Sequence, residues 1–265
     1  MSHLSIVPSH PALQPYIKAF WFLHLQNPGT IKRPPLSASP IPEQCLYFYP
    51  REKPYFITPQ GEIVHGKSSS VVGQVTTSSK LFLPQNYLMF KILFQPGGFY
   101  RLFGTPMTLF VGNFEDGVTV LGNDFKEVQE RIEEAVDFKT MVGIVENYLI
   151  KKVKQAKIGA QPIDQVFQHS QWHLQTLDQM AQAAYLSSRQ FERNFLPRIG
   201  VSPKFYSRLI RFNTAMKMKQ NQPRLSWMHV AYQSGYYDHM HLLRDFKQFT
   251  ASVPSHFEME TALIY

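Results

Sequence analysis

The feature that most constrains this chain is a helical pattern that occurs twice in its last hundred residues. The first copy opens with apolar residues at the spacing of one helix face, namely Leu177, Met180, Ala181 and Ala184. A turn and a good N-cap, Ser187, then predict a second helix whose inward side carries Phe191 and Phe195, four residues apart. A short helix, a turn and a second helix of this kind form a helix-turn-helix unit.

The second copy repeats these features in the same order. A small residue, a turn glycine and an N-cap follow one another as Ala231, Gly235 and Asp238. The inward side of the second helix repeats as Leu242 and Phe246, again four residues apart. One such match would be weak evidence, but two adjacent copies predict an all-α region with a tandem helix-turn-helix.

The outward sides of the two second helices carry side chains suited to contacts with base edges in a major groove. On the first of these helices they are Arg189, Gln190 and Arg193. On the second they are His239, Met240, His241 and Arg244. We therefore expect both second helices to read DNA sequence.

The segment between the two units adds a spacer and positive charge. Ser202 and Pro203 predict the start of a helix that ends near Lys219, about 17 residues and roughly 25 Å long. Such a length suits two reading helices in successive major grooves, which lie about 34 Å apart. The window 187–217 holds one acidic residue, Glu192, and seven basic residues: Arg189, Arg193, Arg198, Lys204, Arg208, Arg211 and Lys217. We expect phosphate contacts from Lys204, Arg208, Arg211 and Lys247.

Composition excludes several classes of protein. With 44% hydrophobic and 17% charged residues over 265 positions, the chain is neither disordered, coiled-coil nor collagen-like. The single cysteine, Cys45, cannot form an internal disulfide, and its alternation with Leu46 and Phe48 predicts a buried, inert thiol. A basic leader and an apolar run of about 18 residues are both absent, which predicts a soluble, cytoplasmic protein. The net charge of +8 permits a polyanionic partner.

The first part of the chain consists of short apolar runs, rich in aromatic and β-branched residues and separated by Pro and Gly. These runs predict strands at 16–25, 44–49, 55–58, 70–76 and 87–94, as in a β-sandwich or barrel. After residue 123 the apolar period becomes helical. It places Phe125, Val128, Ile132, Ala135 and Val136 on one helix, and Met141, Val145, Tyr148 and Leu149 on the next.

Two domains follow from these patterns. We expect an N-terminal α+β domain at 1–157, with a β-barrel-like (cupin-like) sheet and two helices. A linker at 159–162 then leads to a C-terminal all-α domain at 163–265, with helix-turn-helix units at about 177–198 and 225–249. The second predicted helix of the N-terminal domain, at 138–153, is either a dimer helix or a cover for the barrel.

The C-terminal hundred residues resemble the two-motif DNA-binding domain of AraC/XylS-type transcription regulators. The resemblance is most specific in the second unit, which reads Ala231-x3-Gly235-Tyr236-x-Asp238-x2-His241-Leu242-x-Arg244-x-Phe246-Lys247-x6-Pro254-x2-Phe257. It implies a regulator without catalytic activity, with double-stranded DNA as the partner. It also implies base contacts from Arg189, Glu192, Arg193, His239, Met240, His241 and Arg244, with Arg193 and Arg244 foremost.

Three residues depart from the pattern of that family. Pro197 falls in the last turn of the first reading helix and predicts a kink or an end near Leu196. Ala251 replaces the glycine that is usual before the final proline, and Met240 stands where a small polar residue is common. The sequence preference of the first reading helix depends on the effect of Pro197.

The N-terminal half resembles the sensor half of one branch of the same family. The matching stretches are Leu13-x2-Tyr16-Ile17-x2-Phe20-Trp21 and Phe94-x-Pro96-Gly97-Gly98-Phe99-Tyr100-x-Leu102-Phe103. This resemblance implies a β-rich sensor or dimerisation domain. A small-molecule effector and a homodimer are therefore expectations, with no cofactor and no membrane partner.

Two alternatives remain from the sequence. A cupin-like metal enzyme would draw on His3, His10, His24 and His65, although these show no clustered ligand spacing. A regulator that binds a protein partner and has lost DNA affinity is suggested by Pro197 and Met240. The pair His239 and His241 is a poor metal site, because residues two apart on a helix point in different directions.

Overall fold

The structure is a computed structural model that describes residues 2–26, 34–169 and 171–254. Its N-terminal half is β-rich, as predicted. The described strands are β1 (Ser2–Val7), β2 (Ile17–Gln26), β3 (Leu36–Ala38), β4 (Cys45–Phe48), β5 (Tyr55–Ile57), β6 (Ile63–His65), β7 (Ser69–Val72), β8 (Ser79–Phe82), β9 (Asn86–Phe94) and β10 (Phe114–Asp116). The five predicted strands correspond to β2, β4, β5, β7 and β9.

The strands hydrogen-bond as two antiparallel sheets. One has six strands in the order β1-β2-β9-β4-β7-β10, and the other has four in the order β3-β8-β5-β6. Phe56 of β5 stacks on Phe114 of β10 with ring centroids 4.6 Å apart, so the two sheets meet at this point. The prediction of a β-rich N-terminal domain is confirmed, whereas its cupin-like detail is not.

Helices cover one side of the six-stranded sheet. They are α1 (Gly98–Phe103), a 3-10 turn (Met107–Phe110), α2 (Gly117–Leu121), α3 (Asn123–Glu134) and α4 (Phe138–Gln155). The ring centroids of Phe48 of β4 and Phe125 of α3 are 5.5 Å apart, and those of Phe90 of β9 and Phe138 of α4 are 5.8 Å apart. The apolar side of α4 therefore covers the sheet, which is the second of the two roles considered for this helix from the sequence.

One residue of the predicted α3 face is misplaced. Val136 was expected inward, yet it is 88% exposed, because α3 ends at Glu134 and Ala135 already has an extended backbone. The next N-cap, Asp137, begins α4 directly afterwards by accepting from the backbone N–H of Thr140. Helix α3 is thus shorter than the apolar pattern suggested.

Every regular element described in the C-terminal half is a helix or a 3-10 turn. These elements are α5 (Pro162–Val166), a 3-10 turn (Trp172–Leu174), α6 (Leu177–Ala183), α7 (Ser188–Ile199), α8 (Pro203–Asn221), α9 (Trp227–Gln233) and α10 (His239–Thr250). The predicted N-caps Ser187, Ser202 and Asp238 each accept a backbone N–H of the helix that they begin. Helices α6 and α7 form the first unit, and α9 and α10 form the second. Phe257, the last residue of the family pattern in the second unit, lies outside the described residues.

Pro197 does not end the first reading helix. The prediction of an end near Leu196 is wrong, because α7 continues through Pro197 to Ile199. The proline removes only one backbone hydrogen bond close to the helix end. The last turn is held by the burial of Ile199 and by the left-handed cap Gly200, whose N–H donates to the Leu196 carbonyl at 2.8 Å. The first reading helix is therefore as long as the second.

We expect Ala251→Gly to raise the free energy of unfolding by about 0.5–1 kcal/mol. Ala251 ends α10 with φ at 55°, a left-handed conformation that is unfavourable by about 1–2 kcal/mol for a residue with a Cβ. The greater freedom of glycine in the unfolded chain offsets part of this gain. Urea unfolding measures the change.

Ala183→Gly is the matched control. Ala183 is exposed at the last residue of α6 in ordinary helical conformation, so the same chemical change should lower stability there by about 0.5–1 kcal/mol. A change of the same sign in both variants would contradict the conformational explanation.

Candidate DNA-binding surface

The first unit presents one polar side of α7 to solvent. Arg189, Glu192 and Arg193 are exposed, while Phe191 and Phe195 on the opposite side are fully buried. Gln190 is also exposed, but its side-chain oxygen accepts from the backbone N–H of Ser187 at 3.0 Å. The structure thus uses Gln190 to close a capping box at the start of α7.

The second unit presents the corresponding side of α10. Met240, His241 and Arg244 are exposed, and so is Lys247, while His239 is half-buried. The inward residues Leu242 and Phe246 are fully buried, as the spacing predicted. The two reading helices therefore have the same division into a buried aromatic or aliphatic side and an exposed side that carries an arginine.

Asp238 fixes the start of α10. Its carboxylate accepts the backbone N–H of His241 at 2.8 Å and lies 3.0 Å from Nδ1 of the same histidine. The backbone hydrogen bond holds the pKa of the Asp238 carboxyl below its usual range. A carboxylate at the N-terminal end of α10 also interacts favourably with the helix dipole and stabilises the first turn of the helix.

Two of the four residues predicted to contact phosphate have partners inside the protein. Arg208 donates to the Asp245 carboxylate at 2.6 Å, and Asp245 is buried and also accepts from the Tyr236 hydroxyl. The Arg211 guanidinium lies 5.4 Å from the centre of the Tyr236 ring. Lys204 is exposed, as is Lys247. Phosphate contact by Arg208 and Arg211 stays a prediction, whereas their contacts with the second unit are present in the structure.

Arg198 does not belong to the exposed basic surface. The charge count over 187–217 included it, but its side chain is only 3% exposed and forms an ion pair with Asp164 at 2.9 Å. The Arg198 guanidinium also donates to the Asn194 carbonyl and lies 5.3 Å from the centre of the Tyr100 ring. The local excess of positive charge is therefore smaller than the sequence count indicated.

Helix α8 joins the two units. Its 19 residues span about 28 Å, somewhat longer than the predicted spacer. Tyr206 near its start packs in the core of the first unit with Phe195, and Phe212 and Met216 pack against Phe246 of the second unit. One rigid element thus contributes to both hydrophobic cores.

Residues 180–259 match a family described as a helix-turn-helix domain, of the AraC type. The C-terminal part of the chain is an AraC-type domain. Residues 5–116 match a domain of unknown function, DUF6597. No curated protein matches the chain. The family resemblance of the C-terminal region is thereby confirmed.

Solved structures of ToxT from Vibrio cholerae are similar to the chain. One has a TM-score of 0.40 and 11% sequence identity, and the match covers 96% of this chain and 95% of that chain. Another, of wild-type ToxT with a bound unsaturated fatty acid, has a TM-score of 0.40 and 9% identity, over 96% of this chain and 93% of that chain.

None of the described helices of this protein is both long and apolar enough to cross a membrane.

The N-terminal domain contacts the C-terminal end of α7. Helix α1 and the 3-10 turn Met107–Phe110 pack against this end of α7 in the AraC-type domain. At Gly200, where φ is 98°, a Cβ would come 2.9 Å from the Met107 carbonyl oxygen, so only glycine permits this close approach. Arg189 and Arg193 remain exposed in the same arrangement. The N-terminal domain therefore leaves the reading side of the AraC-type domain uncovered.

The second side of the six-stranded sheet contains a buried charged pair. Lys91 of β9 is 1% exposed, and its ammonium lies 2.5 Å from the Glu43 carboxylate and 5.1 Å from the centre of the Trp21 ring. Cys45 is buried beside this pair, and burial raises the pKa of its thiol to about 12. A protonated thiol of this kind is a weak nucleophile, in agreement with the expectation of an inert cysteine.

The histidines considered for a metal enzyme have other surroundings. His24 is 3.0 Å from the Asn86 side-chain oxygen, His65 lies beside the Tyr55 ring, and His3 lies beside Phe22. Within residues 2–26, 34–169 and 171–254, no group of three or more His, Cys, Asp or Glu side chains could hold a metal ion. The arrangement of the described residues thus offers nothing in favour of the metal-enzyme alternative.

Proposed function

We propose that the protein is a sequence-specific transcription regulator that places α7 and α10 in successive major grooves of double-stranded DNA. One observation carries this proposal. Two N-capped helices each expose an arginine, Arg193 or Arg244, opposite a fully buried hydrophobic side, and a single helix joins the two units. A guanidinium fork can donate two hydrogen bonds to the O6 and N7 atoms of guanine.

Phosphate contacts set the register of the two helices on the duplex. Lys204 at the start of α8 and Lys247 in the last turn of α10 are exposed and supply positive charge for these contacts. Neutralising phosphates releases counterions and contributes affinity for any sequence. Base contacts by Arg189, Arg193, His241 and Arg244 then supply the discrimination. Met240 is exposed beside them and suits contact with a thymine methyl group.

We expect the affinity for duplex DNA to fall steeply with salt. The four predicted phosphate contacts, from Lys204, Arg208, Arg211 and Lys247, give a slope of about −4 for the logarithm of the binding constant against the logarithm of the salt concentration. Fluorescence anisotropy with a duplex selected from genomic fragments by the wild-type chain measures this slope. A protein-binding regulator without DNA affinity would select no duplex and show no such dependence, and that result would refute the proposed function.

The second side of the six-stranded sheet is a candidate effector site. We propose that a small molecule binds on the second side of the six-stranded sheet, near Lys91. Trp21 Nε1 and Ser70 Oγ are buried on that side and hydrogen-bond to none of the described residues. Buried polar atoms of this kind favour a bound polar partner.

The homodimer stays a prediction, and sedimentation velocity of the full chain would decide it.

A further inference from the structure

A short proline-containing segment connects the N-terminal domain to α7 of the first unit and to α8, the helix that joins the two units. It comprises residues 40–44, Pro40-Ile41-Pro42-Glu43-Gln44, and is called the strap below. Each proline fixes its own φ and lacks an N–H, so the strap has few alternative conformations. Its carbonyl groups are available as acceptors for the neighbouring helices.

The strap binds one side of α8 at two points. The Tyr206 hydroxyl donates to the Pro42 carbonyl at 3.0 Å, and the Asn213 side-chain amide donates to the Pro40 carbonyl at 2.9 Å. Tyr206 and Asn213 are both buried and lie seven residues apart, which places them two turns apart on the same side of the helix. These two bonds align α8 along the strap.

The same strap binds the end of α7. The Gln44 side-chain amide donates to the Arg198 carbonyl at 2.6 Å, one of the last carbonyls of a helix, which lack partners within the helix itself. The Gln44 side-chain oxygen accepts the Gly97 backbone N–H at 3.3 Å, which connects α7 to the start of α1. Gln44 is only 2% exposed, so water does not compete well for these bonds.

The strap is itself fixed to the six-stranded sheet. The Gln44 carbonyl accepts the Phe94 backbone N–H at 2.9 Å, and the Glu43 carboxylate pairs with buried Lys91. The Gln74 side chain donates to the Glu43 carbonyl at 3.3 Å. A rigid sheet therefore positions the atoms that contact α7 and α8.

We propose that the strap fixes the angle between α7 and α8, and thereby the placement of the first reading helix relative to the second. Gln44, Tyr206 and Asn213 are the positioning residues in this proposal, which rests on the proposed two-groove DNA binding. No strap residue covers the exposed side of α7 or α10, so the strap pre-organises the reading helices rather than masking them. Pre-organisation raises affinity because less freedom is lost on binding.

The test compares duplexes that engage both units with duplexes that engage one. We expect the full-length variant Gln44→Met with Tyr206→Phe to bind the selected two-motif duplex about five- to tenfold more weakly than wild type. On duplexes in which the bases beneath one motif are scrambled, its affinity should match wild type within about twofold, since a single unit needs no fixed angle. The single variant Tyr206→Phe should lose about two- to fourfold on the two-motif duplex.

Tyr148→Phe is the matched control. The Tyr148 hydroxyl is buried near α3 and α4 and hydrogen-bonds to no described residue, so the same substitution there should leave both affinities unchanged. Thermal unfolding of each variant reports whether it is folded. Equal losses on both kinds of duplex, or an unchanged or raised affinity for the two-motif duplex, would overturn the strap proposal. A wild-type chain that selects no duplex would instead refute the proposed function.

Discussion

Arg244→Ala is expected to relax sequence discrimination at one base pair by about 1–3 kcal/mol, roughly 5- to 150-fold. Arg244 is exposed on α10, two residues from buried Leu242 and Phe246, so its side chain extends from the side opposite the core. Removing the guanidinium removes the donors that distinguish guanine from other bases. Binding to a library of single-base variants of the selected site measures the effect.

Lys247→Ala separates base reading from phosphate contact on the same helix. Lys247 is exposed in the last turn of α10, three residues from Arg244. We expect its loss to weaken binding about equally for all sequences and to reduce the salt slope by about 1. If Arg244→Ala also weakened all sequences equally, Arg244 would be a phosphate contact and its assignment to base reading would be wrong.

The tandem units could be predicted from the sequence because the forces that shape them are local. Ser187, Ser202 and Asp238 cap helices by bonds to residues only three positions away. The Phe191 and Phe195 spacing identifies a buried side from four neighbouring residues alone. Such signals need no knowledge of the rest of the chain.

The partners of the charged residues could not be predicted in this way. Arg198 and Arg208 have the same appearance in the sequence as Arg193, but their carboxylates, Asp164 and Asp245, lie 34 and 37 positions away. Burial by the N-terminal domain decides that Arg198 is structural. The strap was missed for the same reason, since its carbonyls meet helices more than 150 residues further along the chain.

The missed strands have a different cause. Strands β3, β6 and β10 contain three residues each, and none of these residues is buried, whereas the equally short β5 has the buried Phe56 at its centre. No long apolar run therefore marks the three missed strands in the sequence. Strand β1 lies at the edge of its sheet, where Leu4 and Ile6 are about half exposed. Its apolar residues are therefore not accompanied by the buried neighbours that mark a central strand.

Asp164 forms the charged centre of the contact between the two halves of the protein. It lies in α5, is buried, and pairs with Arg198 of α7 at 2.9 Å and with Arg101 of α1 at 3.7 Å. Its second oxygen accepts the Gln161 backbone N–H at 2.8 Å. Two guanidinium groups thus depend on one carboxylate in a region from which water is largely excluded.

We expect Asp164→Asn to lower the free energy of unfolding by about 3–5 kcal/mol, because it keeps the shape of the side chain but leaves two buried cations without their counter-charge. Urea unfolding followed by tryptophan fluorescence measures the loss, since Trp172 lies in the core of the first unit. Asp137→Asn is the matched control: Asp137 is an exposed N-cap of α4, and asparagine caps almost as well, so the free energy of unfolding should not change measurably. A loss below about 1 kcal/mol for Asp164→Asn would mean that water or a local rearrangement replaces the carboxylate, and that this pair does not hold the two halves together.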